Sequence, residues 1–327
     1  MRMVIFGAGA VGSVIGGRLF QHQAAHGHQI TLVARSSHCD AIRANGLTIN
    51  DPSGTVSLAV PVVEHISQIE MTPDDVVILT MKTQDTAAAL EQLARHAPIG
   101  VKVACAQNGV ENERMALRRF GSVYGICVLL PAMYMDPGVV DASGAPNNAI
   151  LDVGRYPDGT DSVSDVLARA FALSNLTGRS IPDVMRWKYT KLMLNLGNAA
   201  DALVSDTDHV ELLVGPARAE AEACLLAAGI DKVATADDRA RRTGVMEVLP
   251  IPGSSRGRGG GSTWQSLARG AATTEVDWLN GEIVLLGRTH GVPTPINELL
   301  CDVARWAAAT GAPPRSLTVE QILGRRW

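Results

Sequence analysis

A glycine-rich segment near the amino terminus restricts the folds open to this chain more than any other feature of its sequence. Gly7-Ala8-Gly9-Ala10-Val11-Gly12 directly follows the apolar run Met3–Phe6 and leads into a helical pattern at Val11–Phe20. In folds that bind dinucleotides, the first glycine of such a segment allows a tight turn, the second admits the pyrophosphate, and the third lets the helix pack on the strand. Because the segment lies between a strand and a helix, we predict that its six residues bind a dinucleotide. A glycine turn without a ligand is the alternative.

Apolar runs and helical patterns alternate through the first half of the chain and then give way to helices alone. Runs typical of buried strands occur at Met3–Phe6, Ile30–Ala34, Val76–Thr80, Val101–Ala104 and Val123–Leu129. Such strands, separated by helices, indicate a parallel sheet covered on both faces, and Asp51–Gly54 predicts a hairpin turn within Leu47–Val60. Helical patterns dominate after Thr177, at Asp183–Val204, Val210–Gly229, Thr235–Val248, Thr273–Gly287 and Ile296–Ala309. The sequence therefore predicts an α/β, Rossmann-type dinucleotide-binding domain over residues 1–178 and an all-helical C-terminal domain over residues 179–327.

Charge and composition exclude several classes of partner. The chain has 29 Lys and Arg against 33 Asp and Glu, a formal net charge of −4, which argues against nucleic acid or an anionic membrane surface. Its longest uncharged stretches, Met3–Gly17 and Phe120–Met135, are shorter than the roughly 20 residues that a membrane-spanning helix needs. The 5 scattered cysteines do not form a disulfide framework or a zinc motif. The pair His22 and His26 is interpreted as part of a solvated turn, with metal binding as the alternative. We therefore expect a cytoplasmic protein without a metal.

The residues after the second predicted strand indicate which dinucleotide binds. A site that prefers NAD(H) places Asp or Glu there to bind the ribose 2′-hydroxyl. This chain instead has Ala34-Arg35-Ser36-Ser37, with no acid before Asp40. A guanidinium can bind a 2′-phosphate through two hydrogen bonds, so we predict that Arg35 selects NADP(H), with Arg43 as a second cation. The alternative is that Arg35 is only a solvated residue.

Polar residues also follow two later strands, at the edge where open α/β sheets bind their ligands. Lys82 comes after Val76–Thr80, and Asn108 comes after Val101–Ala104. Lys82 can contact an anionic group of substrate or cofactor, and Asn108 can hydrogen-bond to a ribose or a carbonyl. Because they share this position, we predict that both bind the cofactor. Loop solvation or helix capping is the alternative for each.

The helical half contains a polar stripe and a separate carboxylate. Lys191, Asn195 and Asn198 follow one another at i, i+4 and i+7 in a mostly apolar pattern, so a continuous helix would place them on one face. A desolvated lysine has a lowered pKa, which suits a proton donor near neutral pH. A solvent-facing stripe or a tie between helices is the alternative. Glu275 lies early in another predicted helix, where it is either a catalytic carboxylate or a capping charge.

The order of these motifs resembles that of the ketopantoate reductase (2-dehydropantoate 2-reductase) family over nearly the whole chain. The matching segments are Gly7–Gly12, Lys82-Thr83, Gln107-Asn108-Gly109, Lys191-Leu192 with Asn195, Ser262, Glu275-Val276-Asp277 with Leu279-Asn280-Gly281, and His290-Gly291-Val292-Pro293. The resemblance implies NADPH-dependent reduction of a small 2-oxo acid to a 2-hydroxy acid. The expected substrate is 2-dehydropantoate, in pantothenate biosynthesis.

The resemblance also assigns roles to individual residues. It implies that Lys191 is the general acid, that Glu275 binds the substrate hydroxyl, and that Ser262 binds the substrate carboxylate. The residues that it places along a cleft between the domains are Lys82, Asn108 and Asn195.

Departures from the family pattern concern the substrate more than the reaction. Ala199 occupies the place of the family's second helical asparagine, and Asn198, one residue early, is kept as a substrate-binding candidate. The asparagine shortly before the family's serine is absent, and Gly253–Gly261 lies there instead. Arg256 or Arg258 can replace the lost carboxylate contact, or the segment is a surface loop. The alternatives are a reductase of another 2-oxo acid or of an imine, as in opine-type dehydrogenases, and a non-catalytic NADP(H)-binding regulator. A homodimer is left open.

Overall fold

The computed structural model describes residues 1–252 and 260–327, so the predictions for Arg256 and Arg258 lie outside the described residues. Two units can be distinguished. The first contains Met1–Lys188 and a segment that begins at Ala234, and the second contains Tyr189–Val233 and a segment that ends at Trp327. The first unit therefore extends past residue 178, because Ile181 and Val184 are buried in a cluster with Cys127.

Within the described residues, strands form three sheets. The strands are β1 Arg2–Phe6, β2 Gln29–Val33, β3 Leu47–Asp51, β4 Gly54–Leu58, β5 Val62–Val63, β6 Val76–Leu79, β7 Lys102–Cys105, β8 Val123–Leu129, β9 Ala132–Asp136, β10 Val139–Ala142, β11 Gly144–Pro146, β12 Ile150–Arg155 and β13 Met246–Val248. The main sheet has the order β12-β8-β7-β6-β1-β2-β5. Its neighbours are parallel except β12, which is antiparallel to β8. The carboxyl ends of β1, β2, β6 and β7 therefore share one edge, where open α/β sheets bind ligands.

Helices cover the main sheet and build the second unit. They are α1 Ala10–Gln21, α2 Gln23–His26, α3 Ser36–Asn45, α4 Thr83–His96, α5 Asn112–Leu117, α6 Ser162–Ala172, α7 Val184–Asn195, α8 Asn198–Leu203, α9 Glu211–Ala227, α10 Thr235–Arg242, α11 Ser262–Ala268, α12 Asn280–His290, α13 Pro295–Thr310 and α14 Val319–Leu323. Short 3-10 helices occur at Ile66–Gln68, Thr207–His209 and Val276–Trp278. None of the helices in the two described ranges has both the length and the apolar character needed to cross a membrane.

Both faces of the main sheet are buried, as the continuous apolar strands predict. Met3 and Ile5 of β1 lie in one cluster of buried residues with α1 and α6, whereas Val4 and Phe6 lie in a second cluster with α4. Alternate side chains of a strand point to opposite faces, so both faces of a covered strand must be apolar. The predicted α/β fold class is confirmed.

Helix α1 is packed between the main sheet and a second sheet of order β4-β3-β10-β9. Its two adjacent glycines face these two sheets. A Cβ on Gly16 would collide with the Leu32 side chain, and a Cβ on Gly17 would lie 2.6 Å from Ile49 Cδ1. A helical glycine costs about 1 kcal/mol relative to alanine, and here this close approach requires it. The predicted hairpin within Leu47–Val60 is confirmed, since β3 and β4 pair antiparallel.

The prediction of a helix over Thr235–Val248 is wrong in its second half. Helix α10 ends at Arg242, and β13 then pairs antiparallel with β11 of the first unit. Arg241 contacts the buried Asp152 of β12 at 2.8 Å, and Arg179 contacts the same carboxylate at 3.0 Å. These contacts hold the segment that begins at Ala234 against β12, so tertiary packing determines the local structure of this segment.

The second unit is helical throughout its described residues. Its core consists of buried aliphatic side chains of α8, α9, α12, α13 and α14, among them Leu203, Leu213, Val284, Leu300 and Ile322. Helix α12 ends at His290, three residues beyond the predicted Gly287, because Gly291 adopts the left-handed conformation with φ 73°.

Candidate functional site

The glycine segment forms a tight loop between β1 and α1. Gly7 has φ 104°, and the backbone N–H groups of Gly7 and Ala8 donate to the Val33 carbonyl at 3.1 and 3.0 Å. A Cβ on Gly7 would lie 2.7 Å from the Met81 nitrogen, and a Cβ on Gly12 would collide with Thr80 Oγ1. The first and third glycines therefore have the turn and packing functions that the sequence predicts.

The second glycine has open space on its side-chain face. Among the residues that the structure describes, no atom lies within 4 Å of a Cβ built on Gly9. Helix α1 begins at the next residue, without a side-chain cap at Gly9. The first N–H groups of a helix have no intrahelical acceptor, and the helix dipole favours an anion there. The open face at Gly9 and the amides at Ala10, Val11 and Gly12 therefore fit a pyrophosphate.

Arg35 lies where the sequence predicts it, at the start of α3 and shortly after β2. Its side chain is exposed, and the following residue, Ser36, adopts φ 49°. The backbone N–H of Ser36 donates to Glu64 Oε1 at 3.3 Å. Arg43 pairs with Asp40 on its own helix at 3.3 Å.

Glu64 is a residue that the sequence analysis missed. No acid precedes Asp40 in the stretch after β2, but β5 pairs with β2 and brings Glu64 to the same end of the sheet. A carboxylate therefore lies beside the predicted 2′-phosphate site. Only the strand order, which the sequence pattern does not give, could have revealed it.

The loops that carry Lys82 and Asn108 are joined by a buried hydrogen-bond network. Gln107 Nε2 donates to the Met81 carbonyl at 2.9 Å and to Thr86 Oγ1 at 2.7 Å. Asn112 Nδ2 donates to the Asn108 carbonyl at 3.0 Å, and Thr86 Oγ1 donates to Asn112 Oδ1 at 2.8 Å. The loops that follow the adjacent strands β6 and β7 are therefore held at a fixed distance from each other.

Lys82 and Asn108 themselves are half-buried at this edge of the sheet. Lys82 occupies the N-cap position of α4 without a capping hydrogen bond from its side chain, so the capping alternative does not apply. The Thr83 hydroxyl donates to the Asn108 carbonyl at 3.2 Å, which joins the residue after Lys82 to the backbone of Asn108.

A buried ion pair contacts the backbone of the loop that carries Asn108. Lys188 Nζ contacts Glu113 Oε1 and donates to the Gln107 carbonyl at 3.1 Å. The two side chains are 3% and 0% exposed. Burial raises the pKa of the Glu113 carboxyl above its ordinary value, and the Lys188 ammonium opposes that rise. This pair could not be predicted from the sequence, because nothing in the local pattern distinguishes a buried lysine three residues before Lys191.

The predicted helical stripe is interrupted in the second unit. Helix α7 ends at Asn195 and α8 begins at Asn198, so the i, i+7 relation of Lys191 and Asn198 does not run through one continuous helix. Asn280 Nδ2 donates to the Leu196 carbonyl at 3.1 Å and satisfies the backbone at this break. Within α7, Lys191 is half-buried and Asn195 is buried.

Asn198 and Ser262 lie together. Each is the first residue of its helix, α8 and α11, and Asn198 Nδ2 donates to Ser262 Oγ at 3.4 Å. The backbone N–H of Gly261 donates to Asp201 Oδ2 at 3.3 Å, so α8 holds the start of α11 at two points. The structure thus brings two of the predicted substrate-binding residues into contact.

Glu275 precedes a 3-10 helix instead of opening a long helix, which corrects the prediction for its element. It is the N-cap of Val276–Trp278 without a side-chain capping bond there, and α12 begins only at Asn280. The side chain is 6% exposed. The capping alternative is therefore not observed at this helix end.

Comparison with known proteins gives matches along nearly the whole chain. The family models "Ketopantoate reductase PanE/ApbA" and "Ketopantoate reductase PanE/ApbA C terminal" match residues 3–157 and 183–307. A 2-dehydropantoate 2-reductase of Halobacterium salinarum is 29% identical over 315 residues, which cover 95% of this chain and 100% of that protein. One from Pyrococcus horikoshii is 27% identical over 319 residues, covering 95% and 99%.

Solved structures show the same fold. A PanE/ApbA family ketopantoate reductase from Ralstonia eutropha JMP134 is 28% identical, with a TM-score of 0.78 over 95% of this chain and 99% of that one. A D-mandelate dehydrogenase solved with NADH and anilino(oxo)acetate is 21% identical, with a TM-score of 0.77 over 96% and 100% of the two chains. The likeness to the second structure extends to the fold alone.

Proposed function

Since the chain belongs to the ketopantoate reductase family and is an oxidoreductase that acts on a CH–OH group, we propose that it reduces 2-dehydropantoate to pantoate with NADPH. The observation that carries this proposal is the extent of the match, which includes both the glycine loop of the first unit and the helical unit with Lys191. A dinucleotide-binding unit alone would bind cofactor without selecting a substrate. Pantoate formation by this route would serve pantothenate biosynthesis.

The cofactor is a nicotinamide dinucleotide, and Arg35 supports NADPH as the form used. Its exposed guanidinium follows β2, the strand whose end meets the adenosine ribose in dinucleotide folds. Glu64 accepts a hydrogen bond from the backbone N–H of Ser36, the residue after Arg35, and its negative charge favours the free 2′-hydroxyl. The balance between these two charges sets the preference, and the bidentate geometry of a guanidinium on a phosphate favours NADPH.

The residues of this chain then divide the work of the reaction. A nicotinamide dinucleotide held at the glycine loop would supply the hydride that the carbonyl carbon of the 2-oxo acid accepts. Lys191 Nζ donates a proton to the carbonyl oxygen, and the 2-hydroxy acid results. Glu275 accepts a hydrogen bond from the new hydroxyl. Ser262, held by Asn198, donates to the substrate carboxylate, and Asn195 orients the substrate from α7.

Another 2-oxo acid is the second candidate substrate. Ala199 replaces an amide side chain of the family pattern, and the asparagine expected before Ser262 is absent. Both changes remove polar groups near predicted substrate contacts, and unpaired polar groups are what reject a wrong substrate most strongly. A less polar 2-oxo acid, or an imine formed with an amine, would tolerate these changes better than 2-dehydropantoate.

A substrate panel separates these candidates. NADPH oxidation is measured with 2-dehydropantoate, with several other 2-oxo acids, and with each acid in the presence of an amine. The proposal predicts the highest kcat/KM for 2-dehydropantoate without amine. A higher value for another acid would replace the substrate and keep the reaction class. Dinucleotide binding without turnover on any member would instead support a non-catalytic regulator.

A further inference from the structure

A buried histidine connects the glycine loop to two other parts of the first unit. His38 lies on α3, three residues beyond Arg35, and is 5% exposed. Its Nδ1 accepts a hydrogen bond from the backbone N–H of Gly138, in the turn between β9 and β10, at 2.8 Å. Its Nε2 lies 3.1 Å from Ser13 Oγ of α1, and that hydroxyl donates to the Ala8 carbonyl at 3.1 Å.

The direction of this hydrogen-bond chain follows from its ends. A backbone N–H can only donate, so Nδ1 of His38 must accept and the neutral ring carries its proton on Nε2. Nε2–H therefore donates to Ser13 Oγ, whose own proton goes to the Ala8 carbonyl. The Tyr134 ring packs edge-on against the imidazole, with centroids 4.6 Å apart, and fixes the plane of the ring. The result is one hydrogen-bonded chain that runs from the Gly138 N–H through His38 and Ser13 to the Ala8 carbonyl.

This hydrogen-bonded chain determines the direction of the Ala8 carbonyl. Ser13 is 0% exposed, so the Ala8 oxygen is directed to a buried hydroxyl. The open face of the loop is at Gly9, the next residue. A carbonyl oxygen turned toward that face would repel an anionic pyrophosphate and would occupy the place of an N–H donor.

We infer that His38, acting through Ser13, is a positioning residue for the dinucleotide, because it holds the Ala8 carbonyl away from the pyrophosphate. This inference rests on the proposed use of a nicotinamide dinucleotide. An apolar pair at these two positions would fill the same space, but it would leave the Ala8 carbonyl and the Gly138 N–H without these partners. Unsatisfied backbone groups of this kind rotate toward solvent or cost stability.

The test is the affinity of Ser13→Ala for NADPH and NADH, measured by fluorescence titration. The pyrophosphate is common to both dinucleotides, so we expect both Kd values to rise by the same factor. That factor is about tenfold, equivalent to about 1.4 kcal/mol. Steady-state kinetics should place the loss mainly in the KM for each dinucleotide, because the pyrophosphate takes no part in the chemical step. The thermal unfolding midpoint of each variant is recorded alongside.

Ser164→Ala is the matched control. Ser164 lies on α6, is also 0% exposed, and bonds to the Asp161 carbonyl at 2.8 Å and to Ser180 Oγ at 2.9 Å. Its loss should lower the unfolding midpoint about as much as the loss of Ser13 does, while both Kd values stay at the wild-type level. Equal weakening by the two variants would overturn the inference, since general destabilisation would then explain it.

Variants of His38 provide the second readout. Gln offers an acceptor and a donor in place of Nδ1 and Nε2, whereas Leu offers neither. We expect His38→Gln to bind both dinucleotides much more tightly than His38→Leu. Equal affinities of His38→Gln and His38→Leu, or wild-type affinity in a folded Ser13→Ala, would overturn the role of His38 and leave the cofactor assignment unaffected. A wild-type protein that binds neither NADPH nor NADH would overturn the cofactor assignment together with it.

Discussion

At the scale of single residues, Lys191 supplies the proton in the proposed reaction. General acid catalysis typically contributes about 10²–10⁴-fold to a rate, so Lys191→Ala should lower kcat by that order. The Kd for NADPH should not change, because the dinucleotide contacts proposed above belong to the first unit. Steady-state kinetics and a binding titration measure the two effects.

Lys232→Ala is the control for removing a lysine from the same unit. Lys232 pairs with Glu222 at 3.1 Å, and the pair is partly exposed. Such pairs contribute little, so kcat should stay at the wild-type value. A folded Lys191→Ala variant with wild-type kcat would exclude Lys191 as the general acid.

Arg35 determines the choice between the two dinucleotides in this account. Removing an arginine from a charged hydrogen bond costs about 1.5–3 kcal/mol, so Arg35→Ala should weaken NADPH use by roughly 10–150-fold. Arg35→Asp should weaken it further through repulsion, and it should favour NADH by offering an acceptor to the 2′-hydroxyl. The measurement is the ratio of kcat/KM for NADPH to that for NADH.

Arg43→Ala is the comparison, because Arg43 already pairs with Asp40. We expect Arg43→Ala to keep a ratio of kcat/KM for NADPH to that for NADH close to the wild-type value. If wild type prefers NADH, or if the ratio falls in Arg43→Ala and not in Arg35→Ala, the assignment of the phosphate site to Arg35 is wrong.

Glu64 should act in the opposite sense to Arg35. Its carboxylate accepts from the Ser36 N–H, so it lies close to any phosphate bound there. Partly exposed charges interact by about 0.2–1 kcal/mol, so Glu64→Gln should raise the NADPH to NADH ratio by about 1.4- to fivefold. The same ratio measures it, at low ionic strength. An unchanged or lower ratio would show that Glu64 does not face the phosphate.

At the scale of elements, the sequence predicts those whose signal is local. The strands β1, β2, β6, β7 and β8 are apolar runs, and they are confirmed because burial on both faces requires such runs. Strand β13 was missed because its three residues are mostly exposed and pair with β11 across a long sequence separation. The break between α7 and α8 was missed because its stabilising contact comes from Asn280, far along the chain.

The candidate site could likewise be predicted only where its signal is local in the sequence. Gly7, Gly9 and Gly12 each have a function that follows from neighbours in sequence, and the structure gives each glycine the surroundings expected. The positions of Lys82 and Asn108 at the sheet edge could be predicted, because strand ends can be located from a pattern, whereas their binding of the cofactor stays a prediction. Glu64 and His38 could not be found in this way, since each matters through a strand or helix that only the tertiary fold brings near.

The buried pair of Glu113 on α5 and Lys188 on α7 ties these two helices to the end of β7. Removing one partner of a buried ion pair typically costs about 3–5 kcal/mol, so Lys188→Met should lower the free energy of unfolding by that amount. Chemical denaturation monitored by circular dichroism measures it. The double variant Glu113→Gln with Lys188→Met should recover part of the loss, because no charge is then left buried without a partner.

The exposed pair of Arg95 and Glu91 on α4 serves as the control. Arg95→Ala should cost at most about 0.5 kcal/mol. A Lys188→Met variant as stable as wild type, or a double variant less stable than either single one, would contradict this account of the pair.

At the scale of the whole molecule, His38 makes stability depend on pH. Burial lowers the pKa of its imidazole from 6.5 to about 4, although the Ala8 carbonyl opposes the shift. The unfolded chain therefore binds a proton as pH falls below 6.5, whereas the folded chain binds it only near pH 4. The free energy of unfolding should fall over that interval by up to about 3 kcal/mol, with no further loss from this group below pH 4.

Denaturation series at pH 7, 6, 5 and 4 measure this slope. His38→Gln has no titrating group at the position, so its stability should fall less over the same range. Parallel slopes for the variant and the wild type would show that His38 does not carry the pH dependence.

We propose that this chain transfers a hydride from NADPH to the 2-oxo carbon of 2-dehydropantoate. The most direct measurement uses NADPH with deuterium at the transferred position of its nicotinamide ring, and identifies the product by mass spectrometry and NMR. We expect pantoate with one deuterium on the carbon that bears the new hydroxyl, and we expect the Lys191→Ala variant to form it far more slowly. Pantoate without deuterium at that carbon, or no pantoate from an enzyme that binds NADPH, would contradict the claim.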